Sequence, residues 1–257
     1  MAVTVAVTVF PRQANQTRPV FLTGPKLVSS VGHLVIGIWV YLLLKNNIGG
    51  RLVETVLQLF GFSEDEAASY VTPITGDRIQ FLTAFASLYG LRWGLLGAFT
   101  TNAGNSMPWN ATIQVVIQHS MLYFLGVVVF PTIRGRVPSE LNEYDILAMG
   151  LSILAGVFQH GSELQRLIFK TDPANKGKLH TTGLFGKARF INHTGHILQD
   201  LAMAIAVRSW GVFVFASVEI PFLYFQITPE TEAHMRNKYK EKYEKYCQQT
   251  PYKFIPY

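Results

Sequence analysis

Residues 27–44 read LVSSVGHLVIGIWVYLLL and stand between Lys26 and Lys45 without a formal charge. A helix needs about 20 mostly apolar residues to cross a hydrocarbon core of about 30 Å, because each residue advances it by about 1.5 Å. The flanking lysines can extend their ammonium groups to the lipid headgroups. This stretch therefore predicts a membrane-spanning helix, in which His33 packs against a neighbouring helix.

Further apolar runs follow along the chain. Four are long enough to span a bilayer, namely Ile79–Thr100, Ala111–Thr132, Ile146–Phe169 and Leu201–Thr228. Two weaker stretches, Leu52–Phe62 and Ile191–Val207, supply further candidate helices. Charged residues within such runs are costly and tend to face the protein interior or an aqueous cavity, which is the prediction for Arg92, Arg208 and Glu219. We expect an all-α, polytopic transmembrane bundle of five to seven spans.

The composition supports the same class. Of 257 residues, 49% are hydrophobic and only 15% are charged, whereas soluble domains average about 25% charge. The single cysteine, Cys247, excludes an intramolecular disulfide and a CxxC motif. Residues Met1–Pro19 lack the basic and apolar regions of a secretory signal, so we predict no cleaved signal peptide.

The segment Arg166–Arg189 is strongly basic. It carries one acid, Asp172, against six cations: Arg166, Lys170, Lys176, Lys178, Lys187 and Arg189. The tail from Glu230 onward is also charged, and the positive-inside tendency places both segments on the cytoplasmic side. From charge alone the loop has two interpretations, attraction to lipid headgroups or a site for the phosphates of a nucleotide cofactor.

Motifs in the C-terminal part favour the second interpretation. Residues 183–211 read GLFGKARFINHTGHILQDLAMAIAVRSWG, and HGSELQR stands at residues 160–166. The chain ends in KYKEKYEKYCQQTPYKFIPY, residues 238–257. Together these segments resemble the steroid 5α-reductase and sterol C14-reductase-like family. The resemblance covers about residues 155–257, and the Gly-Leu-Phe turn with its Asn-x-x-Gly spacing and the ending are its most specific parts.

The resemblance implies an enzyme of the endoplasmic reticulum with a cytosolic C-terminus. Residues 1–150 would form the substrate-side helices, and residues 151–257 would carry the cofactor loop and tail. The activity implied is NADPH-dependent reduction of a carbon–carbon double bond in a steroid, sterol or other lipid-like substrate. Its partners would be that substrate and membrane lipids, with no nucleic acid and no obligate protein partner.

The resemblance also implies the cofactor-binding residues. These are His160, Arg166, Lys170, Lys178, Gly183, Arg189, Asn192, His196 and Tyr246. Arginine and lysine would neutralise the phosphates, and Asn192 would orient the nicotinamide. The resemblance assigns no catalytic residue; Tyr89 and Glu54 are candidate proton donors.

Three features depart from the family pattern. The stretch Ile227–Thr231 lacks the arginines and the aspartate that help sterol reductases to hold the cofactor. His196 stands where the family has a glutamate or aspartate, and His193 stands where it has an aromatic residue. With His160, Glu163 and His180 they could form a metal or haem site, but we expect hydrogen-bonding histidines and no metal.

Two other functions stay open. Membrane methyltransferases that use S-adenosylmethionine share a similar C-terminal layout, although their His-Pro is Phe190-Ile191 here. A non-catalytic, lipid-binding member of the fold is the third hypothesis. The basic loop favours a cofactor that carries phosphates.

Overall fold

The computed structural model describes residues 24–97, 109–133, 137–209, 212 and 220–255. Within these ranges the chain is helical and forms no strand, which confirms the predicted all-α class. Val71 and Ile133 make an isolated antiparallel bridge. Met1–Pro19 and Glu219 lie outside the described residues.

The α-helices of the described part run in chain order as α1 (Gly24–Leu34), α2 (Ile36–Lys45), α3 (Ile48–Leu59), α4 (Glu64–Ser69), α5 (Asp77–Leu91), α6 (Trp109–Tyr123), α7 (Glu143–Gly156), α8 (Ser162–Thr171), α9 (Ile191–Ala206), α10 (Thr228–Tyr239) and α11 (Glu241–Gln249). Wider π-helical turns occur at Arg92–Gly97, Phe124–Val129, Val157–Gly161 and Leu223–Ile227. Short 3₁₀ turns occur at Phe130–Thr132, Pro173–Asn175 and Gly183–Gly186.

Two helical segments have the length and composition needed to cross a membrane, Gly24–Lys45 and Thr112–Thr132. They coincide with the first and third of the predicted spans. The run Ile146–Phe169 is helical throughout, because α7, the π turn and α8 follow without a break. The predicted functional boundary at residue 150 falls inside α7.

The stretch Ile191–Val207 coincides with α9, whereas two other runs differ from the sequence prediction. Helix α3 has 12 residues, which gives about 18 Å, too short to cross a hydrocarbon core. The run Leu201–Thr228 is not one helix. Its first residues belong to α9, which ends at Ala206, and Arg208 then takes a left-handed φ of 51° that interrupts the helix.

The core lies where α5 packs along α2 and where α9 packs along α7. Close contact between α1 and α5 depends on Gly90, because a Cβ there would collide with the carbonyl oxygen of His33. Gly150 on α7 is exposed and has nothing within 4 Å of the position of a Cβ. The two glycines therefore differ in what a methyl group would meet.

A buried ion cluster fixes the start of α7. Arg78 donates to both carboxylate oxygens of Asp145, at 2.5 and 3.1 Å, and to the carbonyls of Pro138 at 2.9 Å and Glu140 at 2.8 Å. Arg208 donates to the same carboxylate at 2.9 Å. The cluster ties the start of α5, the segment before α7 and the end of α9 together.

Gly90→Ala is expected to destabilise the fold by about 1–3 kcal/mol, because α1 must move away from α5 to admit the methyl group. The control, Gly150→Ala, should change stability little or raise it slightly, since alanine favours helix more than glycine does. Thermal unfolding of both variants in detergent tests this. Equal effects of the two substitutions would contradict the close approach.

Asp145→Asn is expected to lower the melting temperature at neutral pH, because it leaves the buried Arg78 guanidinium without its counter-charge. Burial opposes ionisation of Asp145. However, the Arg78 hydrogen bond, the N–H of Asn142 and the charges of Arg78 and Arg208 outweigh it and hold the pKa below its usual value.

The carboxylate therefore stabilises the fold above its ordinary pKa, and this stabilisation is lost as pH falls through the depressed pKa. The difference in melting temperature between wild type and Asp145→Asn should shrink as the pH falls below the ordinary aspartate pKa of about 3.9. A constant difference over a pH series would show that Asp145 does not act through its charge.

Candidate functional site

Helices α8 and α9 bring together two of the motifs found in the sequence. The buried Glu163 forms an ion pair with Arg166 on its own helix. The side-chain amide of Asn192, on α9, donates to Oε1 of Glu163 at 3.1 Å. The HGSELQR motif and the Asn-x-x-Gly motif are therefore in direct contact.

The basic loop folds back onto the end of α8. Lys170 donates through Nζ to the carbonyl of Lys178 and to the hydroxyl of Tyr239, the latter at 3.2 Å. Burial and then the nearby charge of Arg166 lower the pKa of Lys170. The Arg166 guanidinium lies 5.8 Å from the ring of Phe185. Arg166 and Lys170 thus place two cations beside each other.

His180 completes this cation-rich region. Its ring stacks on Phe169 at 4.7 Å, and its pKa is lowered by burial and by the charges of Arg166 and Lys170. Nδ1 of His180 is buried and has no hydrogen-bond partner among the described residues. An anion here would relieve the repulsion between the cations.

The Gly-Leu-Phe turn is built around Gly183, whose φ is +63°. A Cβ at Gly183 would also collide with the side chain of Gln165, which accepts a hydrogen bond from the Leu184 N–H at 2.9 Å. Glycine is therefore required here for both conformation and space.

The C-terminal tail packs against the start of α9. Two of the predicted cofactor-binding residues, Arg189 and Tyr246, make hydrogen bonds that hold it there. Arg189 donates through its guanidinium to the carbonyls of Thr250 and Pro251, at 2.6 and 2.9 Å, and pairs with Glu232 at 3.2 Å. Only 7% of the Arg189 side chain is exposed. Tyr246 likewise makes its hydrogen bond to a group within the protein.

Further hydrogen bonds hold the tail in place. The Tyr246 hydroxyl donates to the Phe185 carbonyl at 2.6 Å. The N–H of Phe190 donates to the carbonyl of Lys253 at 2.7 Å, and the Thr194 hydroxyl donates to that of Phe254 at 2.6 Å. The C-terminal ending found in the sequence thus positions α9.

A buried polar centre lies deeper between the helices. Arg92, at the end of α5, donates to the Ser152 carbonyl at 2.6 Å and to the side-chain oxygen of Gln199 at 2.5 Å. The Gln199 amide donates to the Tyr123 hydroxyl at 3.1 Å. Arg92 is 7% exposed and forms no ion pair within the described residues. The predicted inward orientation of Arg92 is confirmed.

Trp93 is the aromatic core of this centre, and four histidines surround it. Its ring lies 5.6 Å from that of His33, 4.7 Å from His119, 5.2 Å from His160 and 6.2 Å from His196. Nε2 of His33 and Nδ1 of His119 are 2.8 Å apart. No group of three or more potential metal ligands forms in the described part of the chain.

Three of the π-helical turns begin beside this centre. Arg92 starts the first, Tyr123 directly precedes the second, and His160 lies within the third. Such turns insert one extra residue per turn and are frequent at functional sites. They are the local irregularities that aim these side chains inward.

One face of α9 joins the two regions. Asn192, His196 and Gln199 follow at intervals of four and three residues, so they share that face. Asn192 meets Glu163, His196 lies 2.8 Å from the amide nitrogen of Gln159, and Gln199 meets Arg92. A continuous polar stripe of about 10 Å therefore leads from the basic loop to the polar centre.

The sequence alone did not identify several members of the polar centre. Arg92 carried a signal, a charge within an apolar run, whereas Tyr123, Gln199 and Trp93 carried none. The candidate proton donor Tyr89 belongs to the centre, with its ring 4.4 Å from that of Tyr123. Glu54, the other candidate, is half-buried on α3.

Residues 91–250 match the profile of a family described as "Protein of unknown function (DUF1295)". The chain belongs to this family. DUF1295 is related to steroid 5α-reductase-like proteins, which agrees with the resemblance found in the motifs. The matched residues include the basic loop and most of the polar centre, but not His33, Tyr89 or the last residues of the tail.

Arg189→Gln is expected to release the tail, because it removes two hydrogen bonds to tail carbonyls and the pair with Glu232. Trypsin should cleave after Lys253 several times faster, and stability should fall by about 1–3 kcal/mol. Lys187→Gln, a change of the same charge at an exposed position, is the control. Unchanged cleavage in Arg189→Gln would show that other contacts suffice to hold the tail.

Proposed function

We propose that this protein is a membrane-embedded, NADPH-dependent reductase of a carbon–carbon double bond in a steroid, sterol or other lipid-like substrate. The polar stripe on α9 carries the proposal. It connects a cation-rich loop, suited to cofactor phosphates, with a buried polar centre suited to a reacting group.

The exterior of the helices supports a position in the membrane. Large apolar side chains are exposed on both candidate spans, with Ile38 at 65% and Ile117 at 56%, and on α7, with Ile146 at 76%. Such residues are stable when lipid covers them. The proposal includes a bundle of five to seven spans in the endoplasmic reticulum, with the basic loop and the C-terminus in the cytosol.

The residues of the loop fit a phosphate-bearing cofactor. Arg166 keeps 32% of its side chain exposed, and burial beside Arg166 already disfavours the charge of Lys170. Bound phosphate would relieve that repulsion, and Lys178 would add a third cation. Arg189 would act indirectly, by holding the tail and the start of α9.

NADPH would supply a hydride. The protein would fix the nicotinamide through Asn192, whose orientation Glu163 sets, and would hold the substrate near the polar centre. Arg92 would provide a positive charge, and Tyr123 and Gln199 would provide oriented dipoles, in a site from which water is largely excluded. Positioning of the two reactants would supply much of the rate.

The proposal predicts selective stabilisation by NADPH. A ligand that binds only the folded state adds about 2.7 kcal/mol at 100 times its Kd. We expect NADPH to raise the melting temperature of the detergent-purified protein, and Arg166→Ala to abolish the shift. Lys242→Ala, which removes an exposed cation on α11, should retain it.

The same titration separates the other hypotheses. Stabilisation by S-adenosylmethionine alone would favour methyl transfer. No stabilisation by NADPH, NADH or S-adenosylmethionine would favour a non-catalytic, lipid-binding protein.

A further inference from the structure

The hydrogen bonds of His33 define the protonation of both its ring nitrogens. Nδ1 of His33 lies 2.6 Å from the carbonyl oxygen of Ser29. A carbonyl oxygen only accepts hydrogen bonds, so Nδ1 must carry the proton. In the neutral ring, Nε2 then has a lone pair and accepts.

The same reasoning extends to His119. Its Nδ1 lies 2.8 Å from Nε2 of His33 and must therefore donate. In neutral His119 the remaining nitrogen, Nε2, is left with a lone pair. His33 thus fixes the tautomer of His119 in the form whose free nitrogen is a hydrogen-bond acceptor.

Nε2 of His119 makes no hydrogen bond within the described part of the chain. His119 is half-buried, with its ring 4.7 Å from Trp93 and 5.6 Å from Tyr89. The nitrogen is therefore a fixed acceptor beside the rings of Trp93 and Tyr89.

We propose that Nε2 of His119 binds the hydroxyl hydrogen of a lipid alcohol. This inference rests on the proposed function and narrows its substrate class. A hydroxyl group can donate to a lone pair, whereas a ketone oxygen cannot. The His119 nitrogen thus favours a hydroxysterol or a similar lipid alcohol over the corresponding ketone.

His33 has the role of a positioning residue. If its ring is removed, His119 is free to move its proton to Nε2 and to donate to a ketone oxygen. The preference for an alcohol then depends on His33, although His33 does not touch the ligand.

Binding of a matched pair of sterols tests the proposal. A 3-hydroxysterol and its 3-ketone are titrated in detergent micelles without NADPH, and the fluorescence of Trp93 reports binding. Trp93→Phe identifies the part of the signal that comes from Trp93. The alcohol should bind about tenfold more tightly, because the ketone leaves an unsatisfied acceptor. Equal affinities, preference for the ketone or absence of binding would overturn the proposal.

Variants of His33 separate this role from a purely structural one. His33→Leu should reduce the preference for the alcohol to near unity, mainly by improving ketone binding. His33→Gln should keep the preference, because its amide can donate to the Ser29 carbonyl and its oxygen can accept from His119. Equal weakening of both ligands in His33→Leu would contradict the proposal.

Nitrogen-15 NMR of histidine-labelled protein measures the tautomer directly. His119→Gln, which lacks the ring, assigns the signal. A proton on Nδ1 of His119 is expected, and a proton on Nε2 would overturn the inference. Neither measurement requires cofactor, so failure here is distinguishable from failure of NADPH to bind.

Discussion

The structure depends on the burial of one guanidinium group, that of Arg92. A buried cation requires hydrogen-bond acceptors, since its loss of hydration costs several kcal/mol. Here the acceptors are the Ser152 carbonyl on α7 and the Gln199 side chain on α9. Gly156 provides the space, because a Cβ there would lie 2.6 Å from Cδ of Arg92. The arrangement of α5, α7 and α9 is therefore constrained by one side chain.

This constraint shows how much the sequence could predict. Apolar runs indicated an all-helical chain, and Arg92 within such a run indicated an inward-facing charge. The hydrogen-bond network around it could not be predicted, because Gln199 and Tyr123 are uncharged residues that meet only when the helices pack together. The run Leu201–Thr228 was predicted as one span for a similar reason, since the turn at Arg208 accompanies its contact with Asp145 on another helix.

The candidate cofactor site was predictable in part. The resemblance gave Asn192 as a cofactor-binding residue, and the structure places its side chain in contact with Glu163 of the HGSELQR motif. The sequence did not indicate that Arg189 would bind tail carbonyls, because about 60 residues separate these groups along the chain. A cation in a motif does not by itself reveal whether a ligand or the protein's own backbone satisfies it.

The substitution of a carboxylate by His196 gains a physical meaning from this arrangement. Arg92 has no carboxylate partner within the described residues, and His196 adds no negative charge beside it. The polar centre therefore favours electron-rich groups more than the family pattern would. Because α9 is a rigid rod, its start determines where His196 and Gln199 lie. The tail binds the start of α9 through Arg189 and Thr194. It therefore determines the positions of the α9 side chains in the polar centre, although it does not touch Arg92.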